Sequence, residues 1–418
     1  MATDVFRHFV SPGKACLTLS IEVHSELIAA IASRPITPAV VLALRKQVGD
    51  VTANSLLEIA GCQRKAIAKF GDGVWMATAR SLQQATDRVV ANYKASMFQD
   101  LIVVDLCGGV GGDAMGFARR GPVVTVDLDP LMTRMAAENL RSINAPDAIA
   151  VNADAMTYFT LNQLTSGKIG LHIDPDRRPD EQRTTAPDRY SPSFDFVSAM
   201  IASSHAAIVK LAPAAQIDSF HATRHHRQWI SYAGSVREQS LICGACIATA
   251  GLTEGGCSAV RLFPGGGTSV YSPPRIPGHH RPLTVEAVPL KYIVDLDPAV
   301  RAAGLSASFA NDHAFACLGD VSGFFTTDQW LFDRECGSRG LIQGFECLWS
   351  GPADMKQLRK VVRDLSLTIE VVKVRGTDHD PVNLQSALRS KAPGKPATLV
   401  IGRSTSGVYA VLASKLSN

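Results

Sequence analysis

The fold of this chain is decided by Val103-Val104-Asp105-Leu106-Cys107-Gly108-Gly109-Val110-Gly111-Gly112-Asp113 and by Val123-Val124-Thr125-Val126-Asp127, which follows. The pattern predicts a buried strand, a glycine turn, a helix and a second strand that ends in a carboxylate. A unit of this kind forms a nucleotide-type pocket at the carboxyl ends of parallel strands.

Two classes of cofactor use such a unit. Gly109, Gly111 and Ala114 have the spacing of a dinucleotide site. Asp105 favours another ligand, because a carboxylate just before the turn would repel a pyrophosphate and attract a cationic amino group. S-adenosylmethionine (SAM) carries an ammonium and a sulfonium but no phosphate, and Asp127 can accept hydrogen bonds from both ribose hydroxyls. The stretch therefore favours SAM over a dinucleotide, and a tight turn without any ligand is the third interpretation.

Bulk composition is that of an ordinary globular protein. The chain has 418 residues, 46% of them hydrophobic and 19% charged, so two or three domains are expected. A net charge of +4 is too small to indicate nucleic-acid binding by itself. The nine scattered cysteines argue against a disulfide framework and for a reducing compartment. Acidic residues interrupt the apolar pattern near the N-terminus, so no secretory signal is expected there. No apolar run is long enough to span a bilayer. We therefore expect a cytoplasmic protein.

The order of elements predicts four parts. Apolar positions at helical spacing indicate a helical N-terminal domain over 1–98, followed by a SAM-binding domain over 99–264. Glycine and proline clusters indicate a linker over 265–284, and a C-terminal module follows over 285–418. In the second part, alternation predicts a Rossmann-like, doubly wound, mostly parallel α/β sheet whose last two strands form an antiparallel hairpin. Its strands are expected near 101–106, 122–127, 148–152, 169–174, 206–211, 236–244 and 257–263, and its helices near 111–120, 130–143, 156–165 and 195–203.

The last eighty or so residues predict a small α+β arrangement. Strand, helix, strand, helix, strand and strand are expected at 343–349, 354–365, 367–373, 381–389, 397–402 and 407–413. Basic residues recur at helical spacing on one face of the first helix, opposite Leu358, Val361, Val362 and Leu365. Together with two basic residues on the next strand they suit a phosphate track, although a solvated helix face is the plainer interpretation. These candidate substrate contacts are Lys356, Arg359, Lys360, Arg363, Lys373 and Arg375.

Residues that follow the other strands complete the predicted cofactor site. Asp154 after the third strand can accept the adenine amino hydrogen, or can simply cap the next helix. The full set of expected SAM contacts is Asp105, Cys107, Gly109, Gly111, Asp127, Leu128, Asp154 and Ala155.

The acceptor side is expected at the end of the fourth strand. Asp174 and Pro175 there can aim a carboxylate and a carbonyl at an acceptor amine, which is what methyl transfer to nitrogen needs. Arg177 and Arg178 can meet phosphate, or pair with nearby acids, and Lys210 points to the active-site rim or caps an edge. Tyr190 and Trp229 are candidates for stacking on a base, though most such aromatics are core. Cys243 and Cys246 lack a second pair at zinc spacing, so no metal site is expected.

Several segments give the chain a resemblance to bacterial class I SAM-dependent methyltransferases with a C-terminal THUMP-like domain. They are Arg64–Gly71, Leu82–Thr86, Asp105–Asp113, Val126–Pro130, Asp174–Arg178, Val209–Pro213 and Lys373–Gly376, and the match as a whole covers most of the chain. The glycine stretch also resembles that of trimethylguanosine synthases, which have an asparagine where this chain has Asp113.

The resemblance implies a Rossmann-like methyltransferase fold, SAM as methyl donor and structured RNA as acceptor, with the THUMP-like domain at about 340–418. It implies cofactor contacts at Asp105, Gly109, Gly111, Asp127 and Asp154, with Asp174 on the acceptor side. The chain departs from the family in one loop. Methyltransferases acting on nucleic-acid amines commonly have Asp/Asn-Pro-Pro and an aromatic, whereas Asp176 and Arg177 follow Pro175 here. A small-molecule or protein methyltransferase, and a SAM- or RNA-binding protein without catalysis, therefore stay open.

Overall fold

A computed structural model of the chain describes residues 21–161, 168–177, 184–274, 282–330, 337–389 and 393–416. They divide into two compact units. The first unit comprises the residues up to Arg227 together with Gln239–Gly256, and the second comprises Gln228–Glu238 together with the residues from Cys257 on.

In the described residues from Ile21 on, the first unit begins with five helices. Thr37 caps the second of them by accepting a hydrogen bond from the Val40 N–H, and Thr78 and Ser81 form a reciprocal capping box at the fourth. The helices are α1 (Ile21–Ala32), α2 (Pro38–Val48), α3 (Asp50–Phe70), α4 (Ala79–Gln84) and α5 (Arg88–Ala95).

Strands and helices then alternate as the sequence predicts. The elements are β1 (Ile102–Leu106), α6 (Gly112–Ala118), β2 (Val123–Asp127), α7 (Pro130–Ser142), β3 (Ala148–Asn152), α8 (Ala155–Leu161), β4 (Ile169–Ile173), a 3-10 turn (Pro187–Arg189), α9 (Phe194–Ser203), β5 (Ala206–Leu211), α10 (Ser219–Arg224), β6 (His226–Tyr232), β7 (Ser235–Gly244) and α11 (Ala245–Thr249). In this unit the strand order is β3-β2-β1-β4-β5-β7. The first five strands are parallel, and β7 is antiparallel to β5.

Both faces of this sheet are buried, as a doubly wound fold requires. Successive side chains of β1 point to opposite faces, so Val103 and Val104 enter different cores. Val103 packs in the core that also holds Leu56 and Trp75 from the N-terminal region. The predicted helical N-terminal domain thus shares a core with the sheet, and it lies in the same compact unit.

The second unit contains β8 (Cys257–Leu262) and β9 (Thr268–Tyr271), which are antiparallel to each other. β6 lies between β7 and β8 in the strand order, so the predicted hairpin of 236–244 with 257–263 is wrong. The sequence pattern did not predict β6, because His226 and Gln228 interrupt its apolar residues. β9 falls inside the predicted linker 265–284, of which 275–281 lie outside the described residues.

A second sheet of seven strands follows, in the order β11-β12-β10-β13-β16-β15-β14. Its described pairings are antiparallel except that of β14 with β15. The elements are β10 (Tyr292–Leu296), α12 (Pro298–Ala302), α13 (Ser306–Asp312), β11 (Ala316–Cys317), β12 (Phe325–Thr327), a 3-10 turn (Arg339–Leu341), β13 (Ile342–Pro352), α14 (Met355–Asp364), β14 (Leu367–Val374), α15 (Pro381–Ala387), β15 (Lys395–Ser404) and β16 (Gly407–Lys415).

This second sheet is strongly curled. Lys373 on β14 contacts Asp295 on β10 at 2.9 Å, although three strands lie between them in the order. In a flat sheet those two strands would be about 19 Å apart. The inner face holds a core with Phe324, Phe345 and Tyr409, whereas α14 and α15 cover the other face.

The predicted elements are confirmed to within two residues where the structure describes them, except that the strand expected at 343–349 extends three residues further, to Pro352. The helix expected over 156–165 is described only to Leu161. Within the described ranges, no helix has the length and apolar character needed to cross a membrane.

The close approach of α5 to α6 depends on Gly116, where a Cβ would lie 2.6 Å from a backbone atom of Ala91. Alanine normally stabilises a helix interior relative to glycine. We expect Gly116→Ala to lower the free energy of unfolding by about 1–3 kcal/mol instead, because backbone atoms cannot yield as a side chain can. Denaturant unfolding measures the change. Gly121→Ala, with no atom within 4 Å of its Cβ, is the control. Equal stability of the two variants would contradict the packing argument.

Candidate active site

Side chains from the ends of several strands meet around Cys107. Burial raises the pKa of the Cys107 thiol well above its usual value, and Asp127, Asp174, Asp105 and Asp154 raise it further. These four carboxylates, predicted from separate stretches of sequence, therefore each lie within electrostatic range of the Cys107 thiol. The thiol stays protonated among them, so it does not act as a nucleophile.

The glycine turn lies directly on the strands. Gly109 and Gly111 have φ values of +55° and +83°, which favour glycine. A Cβ on Gly108 would lie 1.9 Å from the Thr125 Oγ1, so no larger residue fits there. The turn leads into α6 and leaves Gly109 partly exposed, with open space where its side chain would be, so a ligand can approach the backbone closely.

Asp127 borders this turn at the end of β2. Its Oδ2 accepts a hydrogen bond from the Gly109 N–H at 2.8 Å, and its Oδ1 accepts one from the Asp129 N–H at 2.9 Å. Burial raises the pKa of Asp127, while these two N–H groups oppose the increase. The next side chain, Leu128, is 70% exposed. A fixed carboxylate thus stands beside an exposed apolar side chain, which suits a ribose diol attached to a ring.

Asp154 is exposed, and its Oδ1 accepts hydrogen bonds from the Thr157 N–H at 2.8 Å and from the Thr157 hydroxyl at 2.9 Å. The capping interpretation is confirmed. Contact of Asp154 with an adenine stays a prediction, as does that of Ala155, which is buried beside it.

Asp105 requires a correction. Its side chain is fully buried under the turn, where its Oδ2 accepts a hydrogen bond from the Thr125 hydroxyl at 3.0 Å and its Oδ1 lies 2.7 Å from the His172 Nδ1. Burial raises the pKa of Asp105, although the hydrogen bond from His172 opposes it. Both oxygens are engaged within the protein, so this arrangement does not present the carboxylate to a ligand ammonium. Sequence reasoning failed here because strand position does not reveal what a buried side chain contacts.

His172 links Asp105 to a buried ion pair. Its Nε2 lies 3.1 Å from the Lys94 Nζ, which is itself 2.8 Å from the Asp113 Oδ1. An ammonium paired with a carboxylate can only donate, so Nε2 accepts, and Nδ1 carries the proton that it donates to Asp105. Lys94 is fully buried and Asp113 nearly so. The main partner of Asp113 is therefore a lysine from α5.

The same network continues to the acceptor side. Asp113 Oδ2 accepts a hydrogen bond from the Thr86 hydroxyl at 2.6 Å. Lys210 Nζ donates to the Thr86 Oγ1 at 2.9 Å and to the Asp174 Oδ2 at 2.7 Å. Lys210 is buried, so it does not lie at the active-site rim as predicted. Its ammonium group contacts Asp174 instead.

We call this hydrogen-bonded series the polar chain. In order, its members are Thr125, Asp105, His172, Lys94, Asp113, Thr86, Lys210 and Asp174. With a neutral imidazole it contains three carboxylates and two ammonium groups, and so carries a net charge of −1. Sequence reasoning missed Lys94, Thr86 and the role of His172. A polar His172 within the apolar strand Ile169–Ile173 was the available signal, because a buried polar group needs a partner.

The loop after β4 is fixed by backbone contacts. The Asp174 N–H donates to the Leu106 carbonyl at 3.1 Å, and Asp176 forms a β-bridge with Ser191. Pro175 is buried, while Asp174 keeps 25% of its side chain exposed. Arg177 has a buried Nη1 without a hydrogen bond to any described residue, and Arg178 lies outside the described residues.

The predicted stacking aromatics are core residues. Tyr190 and Trp229 are both buried, each in the core of its own unit. Phe220 on α10 is exposed instead, and the Arg224 guanidinium lies 3.7 Å from its ring centroid. Among the described residues no group of His, Cys, Asp and Glu side chains is arranged to hold a metal ion.

The predicted basic track divides into two parts. Lys356, Arg359, Lys360 and Arg363 are exposed on α14, opposite the buried Leu358 and Val362. Leu365, expected on the buried face, is 42% exposed because it follows the last turn of the helix.

Lys373 and Arg375 lie elsewhere. Both contact Asp295, and they point to the inner face of the curled sheet, because their neighbours Val372 and Val374 pack with α14 on the outer face. They therefore do not extend the α14 track, and this part of the prediction is corrected.

Comparisons with known proteins support the fold. A Mycobacterium tuberculosis protein, present in two strains and named as an uncharacterised SAM-dependent methyltransferase, is 27% identical over 375 residues, which are 87% of this chain and 96% of that protein. Trimethylguanosine synthase of Schizosaccharomyces pombe is 25% identical over 84 residues, 19% of this chain and 35% of that protein. No protein-family model matches the chain.

A crystal structure of a Porphyromonas gingivalis W83 protein named as a methyltransferase superposes with a TM-score of 0.75. The alignment has 15% sequence identity and covers 97% of this chain and all of that one. The predicted Rossmann-like class I methyltransferase fold is thereby confirmed.

The buried pair Lys94–Asp113 has a testable pH dependence. Burial alone would raise the pKa of Asp113, but Lys94, His172 and Lys210 hold it well below its usual 3.8. A carboxyl whose pKa is lower in the folded state stabilises the fold above its unfolded pKa and loses this contribution as the pH falls. In urea unfolding, the stability of the wild type should therefore drop more steeply than that of Asp113→Asn between about pH 5 and pH 3.

At neutral pH we expect Asp113→Asn to be less stable by about 3–5 kcal/mol, because the Lys94 ammonium is left buried without its carboxylate. Asp147→Asn, an exposed carboxylate of the same unit, serves as the control. Parallel pH profiles for Asp113→Asn and the wild type would show that the pair contributes nothing to folding.

Proposed function

We propose that this chain is a SAM-dependent methyltransferase that methylates RNA, most simply at a base nitrogen. Its relative of matching length carries the name of that enzyme class. The observation that carries the proposal is the Asp127 carboxylate, fixed beside the glycine turn and the exposed Leu128 on the same edge of the sheet as Asp174. When bound, SAM supplies an electrophilic methyl group.

The residues present fit SAM. Asp127 is positioned to accept hydrogen bonds from ribose hydroxyls, and Leu128 offers apolar surface to the adenine, with Asp154 and Ala155 on its far side. The partly exposed Gly109, with open space beside its Cα, suits the methionine portion. SAM carries a net charge of +1, and the polar chain beneath the turn carries −1. We assign Asp105 a role at a distance, through its charge and its support of the turn, rather than a direct contact.

Asp174 is proposed to orient the acceptor. Lys210 donates a hydrogen bond to its Oδ2, and the carboxylate can accept a further hydrogen bond from an acceptor N–H. Thr86 holds Lys210 from the other side, so the N-terminal region contributes to the placement of Asp174. Positioning of this kind is the main requirement for transfer from a reactive donor.

RNA as the acceptor rests on two observations. The exposed basic face of α14 offers four cations at helical spacing, which suits a phosphate backbone. One relative, trimethylguanosine synthase, is named for a methylated nucleoside. We propose that the region of about 340–418 acts as a THUMP-like RNA-binding domain, and that the exposed Phe220 supplies the stacking surface that the loop after Asp174 lacks.

An acceptor that is a small molecule or a protein is the alternative. The observation in its favour is the same loop, Asp174–Arg177, which has no aromatic residue to hold a base. The two proposals differ in where the methyl label appears.

The decisive test incubates the protein with methyl-labelled SAM and total RNA from cells that lack its gene. We expect label in RNA, and digestion to nucleosides then identifies the methylated atom.

Asp174→Asn should keep SAM affinity and lose transfer by about a hundredfold or more, because the acceptor is no longer oriented. Asp127→Ala should weaken SAM binding by about tenfold or more, while the neighbouring Asp129→Asn should not.

Label found only in protein or in small molecules would reject the RNA acceptor. Loss of SAM affinity in Asp174→Asn would reject the proposed division of roles between Asp127 and Asp174.

The basic face of α14 provides a separate prediction. Replacing Lys356, Lys360 and Arg363 by glutamine should weaken RNA binding and reduce the slope of log affinity against log salt by about three, because each cation displaces counterions from a phosphate. SAM affinity should not change. Lys415→Gln, an exposed lysine of the same unit, is the control. An unchanged salt slope would place the RNA contact elsewhere.

A further inference from the structure

On the inner face of the second sheet, two cationic side chains share one carboxylate. The carboxylate is Asp295, since its Oδ2 lies 2.9 Å from the Lys373 Nζ and its Oδ1 accepts a hydrogen bond from Arg375. The Arg375 guanidinium also lies 4.7 Å from the Phe324 ring centroid. One buried carboxylate therefore serves two partly buried cations.

Arg301 and Tyr409 complete this group. Burial lowers the pKa of Arg375, Asp295 opposes that decrease, and Arg301 adds to it, so Arg301 lies within electrostatic range of Arg375. Burial raises the pKa of Tyr409, with Arg375 in opposition, so Tyr409 faces the same group and keeps its proton.

Two polar atoms here are buried without a hydrogen bond to any described residue. They are the Arg301 Nε and the Tyr409 Oη, and Tyr409 as a whole is only 6% exposed. A buried donor without an acceptor is destabilising by about 1–3 kcal/mol, so such atoms are uncommon unless a ligand or water meets them. The Arg301 Nε–H can only donate and the Tyr409 hydroxyl can also donate, so a single acceptor group would satisfy both atoms.

The charges point the same way. A second carboxylate, Asp297, interacts with Arg301 and with Arg261, whose Nε lies 3.8 Å from the Asp297 Oδ2. The group of Arg261, Arg301, Lys373 and Arg375 with Asp295 and Asp297 therefore carries a net charge of +2. An excess of partly buried positive charge is relieved most directly by an anion.

We propose that Arg301, Lys373, Arg375 and the Tyr409 hydroxyl form a binding site for a phosphate group. A phosphate offers several oxygens to separate donors, and a guanidinium matches its geometry in a bidentate manner. The phosphate belongs either to a nucleic-acid backbone or to a free phosphorylated small molecule. The proposal does not depend on methyl transfer, because every residue in it belongs to the second unit.

The test uses the full chain and three probes at constant ionic strength, adjusted with sodium chloride. The probes are inorganic phosphate, adenosine 5′-monophosphate with adenosine as its unphosphorylated control, and a hexaribonucleotide with or without a 5′-phosphate. Calorimetry gives affinities, and thermal unfolding shows stabilisation by ligand. We expect saturable binding that requires the phosphate. Preference for the nucleotide or for the oligonucleotide identifies the source of the group.

The variants remove donors with little change in shape. Tyr409→Phe deletes only the hydroxyl and should weaken phosphate binding about three- to tenfold. Arg301→Gln should weaken it about tenfold or more. Lys395→Gln, an exposed lysine of the same unit, should leave it unchanged.

Unfolding in chloride alone verifies that each variant is folded. If wild type binds none of the probes, or if Tyr409→Phe and Arg301→Gln bind them as tightly as wild type does, the proposal is overturned and the cations serve only the fold.

Discussion

The buried ion pair between Lys94 and Asp113 is the constraint on which the first unit depends. Neither group can leave its partner, because an isolated charge away from water is far more destabilising than the pair. Lys94 belongs to α5, and Asp113 lies in the first turn of α6. The ion pair therefore connects the N-terminal helices to the helix that follows the glycine turn. The close contact that Gly116 allows between these helices brings the two charges within reach.

The polar chain connects this ion pair to Asp174 on the proposed acceptor side. Each member engages the next, from Thr125 under the turn to Asp174 at the acceptor side. Its net negative charge lies beneath the surface on which a cationic cofactor is proposed to bind, without direct contact from Asp105. Binding and orientation are thus assigned to different carboxylates: Asp127 and Asp154 at the surface, and Asp174 at the end of the chain.

In the second unit, cationic side chains lie on both faces of the sheet. Its sheet curls until β14 and β10 face each other, and Lys373 and Arg375 meet Asp295 on the inner face. The exposed basic residues of α14 occupy the outer face. Two groups of cations that look continuous in the sequence are therefore separate surfaces with different neighbours, one hydrated and one largely buried.

Much of this protein follows from local sequence alone. Alternating apolar strands and glycine turns determined the α/β fold, the bounds of its elements and the convergence of Asp127, Asp154 and Asp174, because parallel strands bring their carboxyl ends to one edge. Tertiary structure alone decided which polar groups meet: that Asp105 is buried against His172, that Lys94 pairs with Asp113, and that Lys373 and Arg375 turn inward to Asp295. These contacts join residues up to about eighty positions apart, and a side chain's partner at such a distance depends on helix packing and sheet curvature, which no local pattern encodes.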